Sequence, residues 1–418
     1  MQRIDVVVIG GGQAGLSASF ALGRLGVEHI VLERGRVGER WRSERWDSLR
    51  LLSPNWQTRL PGFSYRGPNP DGYMRAGRFA LHLAQYARSF GAPVLAGTTV
   101  LRVARKGTAY IVDTDRGRFL ALAVIIATGE CAAPKLPAWV SAVPSRIYQC
   151  SAASYRRPEQ LPEGGVLVVG ASASGVQLAD ELRRSGRSVA LAVGRHVPLP
   201  RHYRGLDIMT WLDWSGILDE RPVPRLDAAG VVTQDGPSLQ LVGRKTPEQL
   251  DLAYLASHGV TLTGHMTGVD GGRALFAADL AQTAHAAVAK QQRLLARIDD
   301  YIARSGLRVA PPQPTQAPRL ELDRAPTTLD FHGRDIRSIV WATGFVPDYS
   351  WLDVPVFDAR GRLRQREGVT DAPGLYVLGL RFLRHRNSNL IDGVGRDAGV
   401  IAAWVEQELN RRIRRVAA

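Results

Sequence analysis

The stretch Val6-Val7-Val8-Ile9-Gly10-Gly11-Gly12-Gln13-Ala14-Gly15 decides the fold of this chain. Four apolar residues, typical of a buried strand, run into a glycine-rich turn, and an alanine- and leucine-rich segment follows as far as Gly26. In such a turn the spaced glycines allow a tight bend, a close approach of the backbone to a pyrophosphate, and close packing of helix on strand. The stretch therefore predicts a strand, a dinucleotide-binding turn with Gly10, Gly12 and Gly15, and a helix.

The segment after this helix supports the same interpretation. Apolar residues from Val27 to Leu32 predict a second strand, and Glu33 ends it, 23 residues after Gly10. A carboxylate at this position can accept hydrogen bonds from the ribose hydroxyls of an adenosine. We therefore expect a complete βαβ unit whose cofactor-binding residues also include Gln13, Ala14 and Arg34.

The same pattern occurs a second time. An apolar strand over Val166–Val169 leads into Gly170-Ala171-Ser172-Ala173-Ser174-Gly175. The interval from Gly175 to Gly186 equals that from Gly15 to Gly26, so the two predicted helices have the same length. The chain is thus expected to contain two nucleotide-binding βαβ units, with Gly170, Ser172, Ser174 and Gly175 in the second.

The two units differ at the position that selects the nucleotide. Val193 stands in the second unit where Glu33 stands in the first, and Arg195 follows two residues later. An arginine attracts a 2′-phosphate through charge-assisted hydrogen bonds. The first unit is therefore predicted to bind an adenosine with free ribose hydroxyls and the second to bind NADP. The alternative is that Arg195 is one more surface arginine.

Each of the two units ends with the same short motif, Ala-Thr-Gly. Ala127-Thr128-Gly129 and Ala342-Thr343-Gly344 each follow an apolar strand. Such small-residue turns let a late strand of each unit pass close to the bound dinucleotide. Near the end of the chain, Thr370–Gly379 has a turn, a strand and a glycine, which predicts a return to the first unit, with Gly379 at its cofactor site.

Composition favours a globular enzyme. The chain has 418 residues, 45% of them hydrophobic and 22% charged, enough for two or three folding units. The formal net charge is +15, but 50 of the 54 basic residues are arginines scattered along the chain, and no nucleic-acid-binding motif is present. The apolar runs are too short to span a bilayer, and the N-terminus lacks a signal-peptide pattern. We expect a cytoplasmic protein that binds neither nucleic acid nor membrane.

Several kinds of catalytic site are excluded by residue spacing. Cys131 and Cys150 are the two cysteines, and their separation excludes both a disulfide scaffold and a Cys-x-x-Cys redox centre. The nine histidines show no metal-ligand spacing, so we expect no metal site. The glycine-serine pattern at 170–175 has its closing glycine one position too late for a nucleophile elbow.

The motifs together resemble the two-dinucleotide-binding flavoproteins, and most closely the flavin-containing monooxygenases with their YUCCA-like and bacterial relatives. Gly38-Glu39-Arg40-Trp41 is similar to the Gly-Gly-x-Trp element beside the flavin in that family, and residues 49–61 resemble the stretch that follows it. The resemblance implies FAD at the first turn and NADPH at the second, with Arg40 and Trp41 at the flavin. It also implies an asparagine near the flavin, for which Asn55 is the nearest candidate catalytic residue.

The motif order predicts an α/β fold with two Rossmann-like domains, an FAD domain with an inserted NADPH domain. Residues 1–155 and 346–418 would form the FAD domain, and residues 156–345 the NADPH domain. The latter contains additional material, including residues 207–219 with Trp211 and Trp214 and a helix over 279–304. This material is expected to pack in a core, the alternative being that it lines a substrate path. A proline-rich loop over 310–318 is expected to be exposed.

The resemblance implies a flavoprotein monooxygenase. NADPH would reduce FAD, and a C4a-peroxyflavin would then oxygenate a small organic substrate at nitrogen, sulfur or a carbonyl. An NADPH oxidase or NADPH-dependent electron-transfer reductase would use the same two sites, and a non-catalytic flavin or NADP sensor is a third alternative. The substrate and the oligomeric state do not follow from the sequence.

Overall fold

The computed structural model describes residues 1–223, 225–226, 232–233, 239–244, 249–311 and 322–417. Its first sheet is built around the apolar run of the first motif, because the strand Gln2–Ile9 is flanked by parallel strands on both sides and Val6–Val8 are fully buried. The described strand order is Leu352–Asp353, Val100–Lys106, Ala109–Thr114, Gly117–Ile126, Gln2–Ile9, His29–Glu33 and Val94–Ala96.

The C-terminal part of the chain completes this first sheet. The strand Leu375–Val377 pairs in parallel with Gly117–Ile126, and two short strands, Val369–Thr370 and Gln365–Arg366, continue from it. The predicted return to the first unit, with Gly379 directly after the strand, therefore agrees with the sheet topology.

The second sheet is entirely parallel. Its strand order is Tyr148–Ser151, Ile336–Trp341, Gly165–Val169, Val189–Ala192 and Thr261–Thr263. A three-stranded antiparallel sheet lies beside it and consists of Met266–Asp270, Arg273–Phe276 and Thr328–Asp330. Helices on the faces of both sheets bury their apolar strands, as expected for doubly wound α/β domains.

The described helices cover the faces of the sheets and form the additional material of the second unit. The helices after the two glycine turns have 12 residues each, the equal length that the sequence predicts. The helices are α1 (Gln13–Arg24), α2 (Glu39–Ser43), α3 (Ala76–Ser89), α4 (Ala173–Arg184), α5 (Ile208–Trp214), α6 (Leu252–Ser257), α7 (Leu280–Ser305) and α8 (Val394–Ala417).

Short two-stranded ribbons and 3-10 turns connect these elements. The ribbons pair Arg59–Leu60 with Phe63–Ser64, Ala133–Pro134 with Phe345–Val346, Val197–Pro198 with Leu239–Gln240, His202–Tyr203 with Leu206–Asp207, and Arg225–Leu226 with Val232–Thr233. The 3-10 turns are Asn55–Gln57, Val140–Ala142, Pro158–Gln160, Ile217–Asp219 and Leu322–Arg324.

The chain passes between the two sheets at the ribbon of Ala133–Pro134 with Phe345–Val346. The strand Tyr148–Ser151, which precedes the predicted boundary at 155/156, pairs with Ile336–Trp341 of the second sheet. The strand Phe345–Val346 of the ribbon spans the predicted boundary at 345/346, and both boundaries stay predictions.

The additional material of the second unit forms a separate apolar cluster. Trp211 is fully buried in it, as predicted for a core residue, whereas Trp214 is half exposed. The long helix is confirmed as α7, and its Ile298 and Ile302 pack into the same cluster. Most of the proline-rich loop, residues 312–318, lies outside the described residues. Among the helices of the described residues, none is long and apolar enough to span a membrane.

Candidate active site

One cavity of about 1880 Å³ opens to both glycine-rich turns. Single small-molecule pockets usually have about 300 to 1,000 Å³, so this cavity has room for more than one ligand. Gly10 and Gly12 line it on the side of the first sheet, and Gly170 and Ser172 line it on the side of the second. The fold therefore places both predicted nucleotide sites in a shared space.

The first glycine turn packs against backbone on one side and faces the open cavity on the other. Gly10 has φ +113°, and a Cβ atom there would lie 2.7 Å from the Ala127 carbonyl oxygen. A Cβ atom on Gly15 would overlap the Gly10 carbonyl oxygen, whereas one on Gly12 would meet no atom within 4 Å. Gly12 precedes α1, whose N-terminus has no side-chain cap. The free backbone N–H groups of α1 thus face the cavity and can bind a pyrophosphate.

Glu33 is held in place at the end of its strand. Its side chain is buried and accepts hydrogen bonds from the backbone N–H of Gly11, at 2.7 Å, and of Gly35, at 2.9 Å. The carboxylate still lines the cavity. Each carboxylate oxygen has more than one lone pair, so Glu33 can accept ribose hydroxyls as well.

The segment with Arg40 and Trp41 closes the first site. The Arg40 guanidinium donates to the Thr128 carbonyl oxygen at 3.0 Å, which ties α2 to the small-residue turn. The Trp41 indole N–H donates to the Gln13 side-chain oxygen at 3.3 Å. All four side chains line the cavity, so the predicted flavin-site residues lie together.

The second turn repeats the geometry of the first. Gly170 has φ +106°, and a Cβ atom there would lie 2.5 Å from the Ala342 carbonyl oxygen; a Cβ atom on Gly175 would overlap the Gly170 carbonyl oxygen. Helix α4 begins after Ser172 without a side-chain cap. The two small-residue turns, at Ala127 and Ala342, therefore have the same role, because each passes directly behind its glycine turn.

The selectivity position of the second turn carries positive charge. Val193 is fully buried and Arg195 is exposed at the cavity wall. Lys290 of α7 lines the same cavity, and burial, with a smaller contribution from the Lys290 charge, lowers the pKa of His196. Neither Arg195 nor Lys290 forms an ion pair with another residue of the described part of the chain. Two cations are thus available beside the second turn for a 2′-phosphate.

Most of the predicted cofactor residues line the cavity. They are Gly10, Gly12, Gln13, Ala14, Glu33, Arg34, Arg40, Trp41, Thr128, Gly129, Gly170, Ser172, Ser174, Arg195, Ala342, Thr343, Gly344 and Gly379. Gly15 and Gly175 lie behind the turns, where they allow helix and strand to pack closely.

Asn55 does not reach the cavity. It lies in the 3-10 turn Asn55–Gln57, and its side-chain N–H₂ donates to the Asn69 carbonyl oxygen at 2.9 Å. The rotation of about 120° per residue in a 3-10 turn directs Gln57 elsewhere. Gln57 lines the cavity, is only 1% exposed, and pairs neither its amide nitrogen nor its amide oxygen. The structure does not place Asn55 at the cavity wall, its role at the flavin stays a prediction, and no sequence signal singled out Gln57.

The two cysteines occupy different environments in the structure. Cys131 lines the cavity, while Cys150 is buried, and burial raises the pKa of its thiol to about 12. The two are not bonded to each other. No cluster of histidine, cysteine, aspartate and glutamate suited to a metal ion occurs in the described ranges.

The cavity fits two dinucleotides. Both turns present uncapped helix N-termini, a side chain at Gly12 would enter open space, and a fixed carboxylate marks only the first turn. These features match the requirements of FAD at the first turn and of NADP at the second.

Comparisons with known proteins support this interpretation. Residues 7–204 match the family described as pyridine nucleotide-disulphide oxidoreductase. An uncharacterized CzcO-like oxidoreductase of Geobacillus kaustophilus is 31% identical over 402 residues, which cover 95% of this chain and 97% of that protein. The chain belongs to the CzcO-like oxidoreductases.

This relative and the chain match over nearly their full lengths. An indole-3-pyruvate monooxygenase, YUCCA1 of Oryza sativa, is 31% identical over 205 residues, which cover 48% of this chain and 50% of that one. The flavin-containing monooxygenase of Stenotrophomonas maltophilia has a similar structure, with a TM-score of 0.67, 21% identity, and coverage of 97% and 99%. The predicted α/β fold and the resemblance to flavin-containing monooxygenases are therefore confirmed.

Proposed function

We propose that this CzcO-like oxidoreductase is an NADPH-dependent monooxygenase that oxygenates a small organic substrate at nitrogen, sulfur or a carbonyl carbon. The observation that carries the proposal is the single cavity that joins both dinucleotide turns to a third, apolar region. FAD, held by the backbone N–H groups at the start of α1 and by Glu33, would supply the redox and oxygen-transfer chemistry. The protein residues bind and orient the two cofactors, and they exclude water.

The turns determine how the two cofactors are oriented. The backbone N–H groups at the start of α1 and α4 would hold the two pyrophosphates at opposite sides of the cavity. The Arg45 guanidinium lies 5.5 Å from the Trp41 ring centre and 5.7 Å from that of Phe345. This stacked arrangement joins the two sides of the cavity and limits the entry of water.

We propose domain boundaries at the paired crossings. The FAD domain would comprise residues 1–132 and 347–417, and the NADP domain residues 135–344, because each set contributes the strands of one described sheet. The strand Tyr148–Ser151 is thereby assigned to the NADP domain.

The amounts of oxygenated product and of hydrogen peroxide formed per NADPH consumed test the proposed function. We expect the purified protein to contain FAD and to form oxygenated product from at least one member of a panel of amines, thioethers and ketones. Release of one hydrogen peroxide per NADPH with every panel member would instead identify an NADPH oxidase. Absence of NADPH turnover by the flavin-loaded protein would support a sensor.

A further inference from the structure

The cavity has an apolar region beside the second glycine turn, where Gln240 donates to the Ala171 carbonyl oxygen, and we name this region the aliphatic chamber. Its wall belongs to the apolar cluster of the additional material, with one contribution from the C-terminal part of the chain. The wall residues are Met209, Leu218, Leu239, Leu241, Leu294 and Leu390. These side chains provide apolar surface without a charged group.

The segment that contains Gln57 lies directly against this wall. Arg201 donates to the Leu52 carbonyl oxygen at 2.7 Å, and Trp56 packs on the same apolar cluster. A Cβ atom on Gly243 would overlap the Leu51 carbonyl oxygen, so the two backbones approach closely there. The Gln57 side chain therefore lies where residues 51–57 meet the additional material.

Gln57 has an unpaired side-chain amide at the wall of the cavity. Its amide is 1% exposed, lines the cavity, and has no hydrogen-bond partner for either its nitrogen or its oxygen. A buried amide without partners is costly, so native structures normally provide a partner. In an apolar chamber that partner is a ligand group that accepts a hydrogen bond from the amide N–H.

The charges around the chamber select against cations. Glu220 is paired with both Arg297 and Arg386, and Asp392 is paired with Arg59. Arg293 lines the cavity and forms no ion pair within the described residues. The cations Arg221, Arg293, Arg297 and Arg386 line the cavity together with the carboxylates Glu220 and Asp392 and outnumber them. An ammonium substrate would be repelled here, whereas a neutral molecule would not.

The geometry points to an aliphatic ketone as the substrate class, bound in the aliphatic chamber with its carbonyl oxygen accepting a hydrogen bond from Gln57. This inference rests on the proposed monooxygenase function and chooses among its three substrate types. A thioether sulfur is a weak acceptor and would leave the amide N–H unpaired, and an amine is protonated at neutral pH. A carbonyl oxygen meets both requirements.

The reaction then balances as a ketone-to-ester conversion. One atom of O₂ enters the bond between the carbonyl carbon and a neighbouring carbon, and the other atom leaves as water. NADPH supplies two electrons as hydride, and one proton comes from the solvent. NADP⁺, the ester and water are the products.

Three substrates of equal chain length test the inference: 2-octanone, methyl hexyl sulfide and N-methylhexylamine. We expect kcat/KM for the ketone to exceed that for the sulfide about tenfold, with the amine the poorest. The Gln57→Leu variant should lose roughly tenfold to a hundredfold for the ketone, and less than about twofold for the sulfide. Gln292→Leu on the exposed face of α7 is the matched control and should change neither value.

A binding measurement separates this inference from the proposed function. We expect 2-octanone to raise the melting temperature of the oxidised, FAD-loaded protein, and Gln57→Leu to abolish this shift, even if no product forms. A sulfide preference in the native enzyme, an equal loss for ketone and sulfide, or weaker FAD binding in Gln57→Leu would overturn the inference. Stoichiometric peroxide combined with Gln57-dependent ketone binding would contradict the proposed function alone.

A variant of Arg293 tests whether positive charge at the chamber excludes ammonium substrates. Arg293→Glu should improve kcat/KM for N-methylhexylamine severalfold relative to 2-octanone, because it replaces repulsion of the ammonium group by attraction. Arg304→Glu, on the same helix but outside the cavity lining, should leave the ratio unchanged. An unchanged ratio in both variants would show that charge does not select the substrate.

Discussion

At the scale of single residues, glycines with the same spacing in the sequence have different physical roles. Gly12 faces the open cavity, whereas Gly15 is packed against the carbonyl of Gly10. We expect both to be needed for flavin binding, but for different reasons: one leaves room for the cofactor, and the other lets the helix lie on the strand. Substitutions at the two positions should therefore have different consequences.

We expect Gly12→Val to fold normally and to purify without FAD, because its side chain enters the space of the pyrophosphate. Gly15→Val should instead lower the yield of folded protein, because the new side chain overlaps the Gly10 carbonyl. Circular dichroism and the flavin-to-protein absorbance ratio measure the two effects. A folded Gly12→Val protein with normal flavin content would disprove the assignment of the first turn.

Gln57→Leu should raise stability while it lowers ketone turnover. The substitution replaces a buried amide without partners by an apolar side chain of similar size, which should gain about 1 to 3 kcal/mol in the absence of substrate. Chemical denaturation of the native protein and the variant measures the difference. Equal or lower stability of the variant would mean that the Gln57 amide already has a partner in the free protein.

At the scale of elements, α7 and α8 each place a charged group where the sequence pattern shows only a helix. Helix α7 carries Lys290 to the second dinucleotide site, although about 100 residues separate it from Arg195. Helix α8 carries Asp397 in its first turn, where the carboxylate is fully buried. Both positions result from tertiary packing, which periodicity does not reveal.

Arg195→Ala and Lys290→Met should each raise the Michaelis constant for NADPH by roughly tenfold to a hundredfold, since a charge-assisted contact contributes about 1.5 to 3 kcal/mol. The constant for NADH should stay nearly unchanged. Lys106→Met, remote from the cavity lining, is the matched control for the lysine. Equal effects on both coenzymes would indicate a structural role for these side chains.

Asp397 predicts a pH dependence of stability. Burial raises the pKa of this carboxyl, and the side-chain nitrogens near it are the His385 Nδ1 at 3.4 Å and the Arg384 Nε at 3.8 Å. A raised pKa means that the folded state binds more protons than the unfolded state, so stability falls as pH rises above about 3.8. The Asp397→Asn variant should therefore be more stable than the native protein at pH 7, and the gain should be smaller at pH 4. Thermal unfolding at the two pH values measures this difference. A gain that does not depend on pH would contradict this assignment.

At the scale of the whole molecule, side-chain bridges hold the additional material against the FAD domain. Arg59 pairs with Asp213 at 3.1 Å and with Asp392 at 2.7 Å, and Glu220 joins Arg297 to Arg386. These ion pairs lie around the aliphatic chamber and restrict access of water to it. Water exclusion matters for oxygenation, because it limits side reactions that release peroxide.

Glu220→Gln should weaken this closure and raise the peroxide released per NADPH in the presence of substrate. The expected change is about twofold to fivefold, the size of effect that follows from weakening partly exposed ion pairs. Glu163→Gln, at an exposed position without a role in the cavity, serves as the control. If the ratio of peroxide to product stays constant, these ion pairs do not protect the reaction.

The sequence was sufficient for those parts of the molecule in which local chemistry dictates the structure. Both turns, both equal helices and the two small-residue turns were predictable because each glycine has a local steric reason. The strand Tyr148–Ser151 was not, because a short polar segment lacks an apolar pattern. The position of Gln57 in the cavity was not predictable either, because it depends on a 3-10 turn and on an apolar cluster that is distant in the sequence.

The pairing of Ala133–Pro134 with Phe345–Val346 has a consequence for how such enzymes diversify. Since the chain leaves the first sheet and rejoins it at one ribbon, genetic recombination with breakpoints on its two strands would exchange a whole coenzyme module and keep the flavin module intact. The coenzyme preference and the glycine turn of the second unit would be inherited together. The aliphatic chamber would not, because Leu390 and Gln57 come from the flavin module and Met209 and Leu294 from the other. Chimeras would therefore acquire a new coenzyme preference readily and would have to rebuild their substrate site.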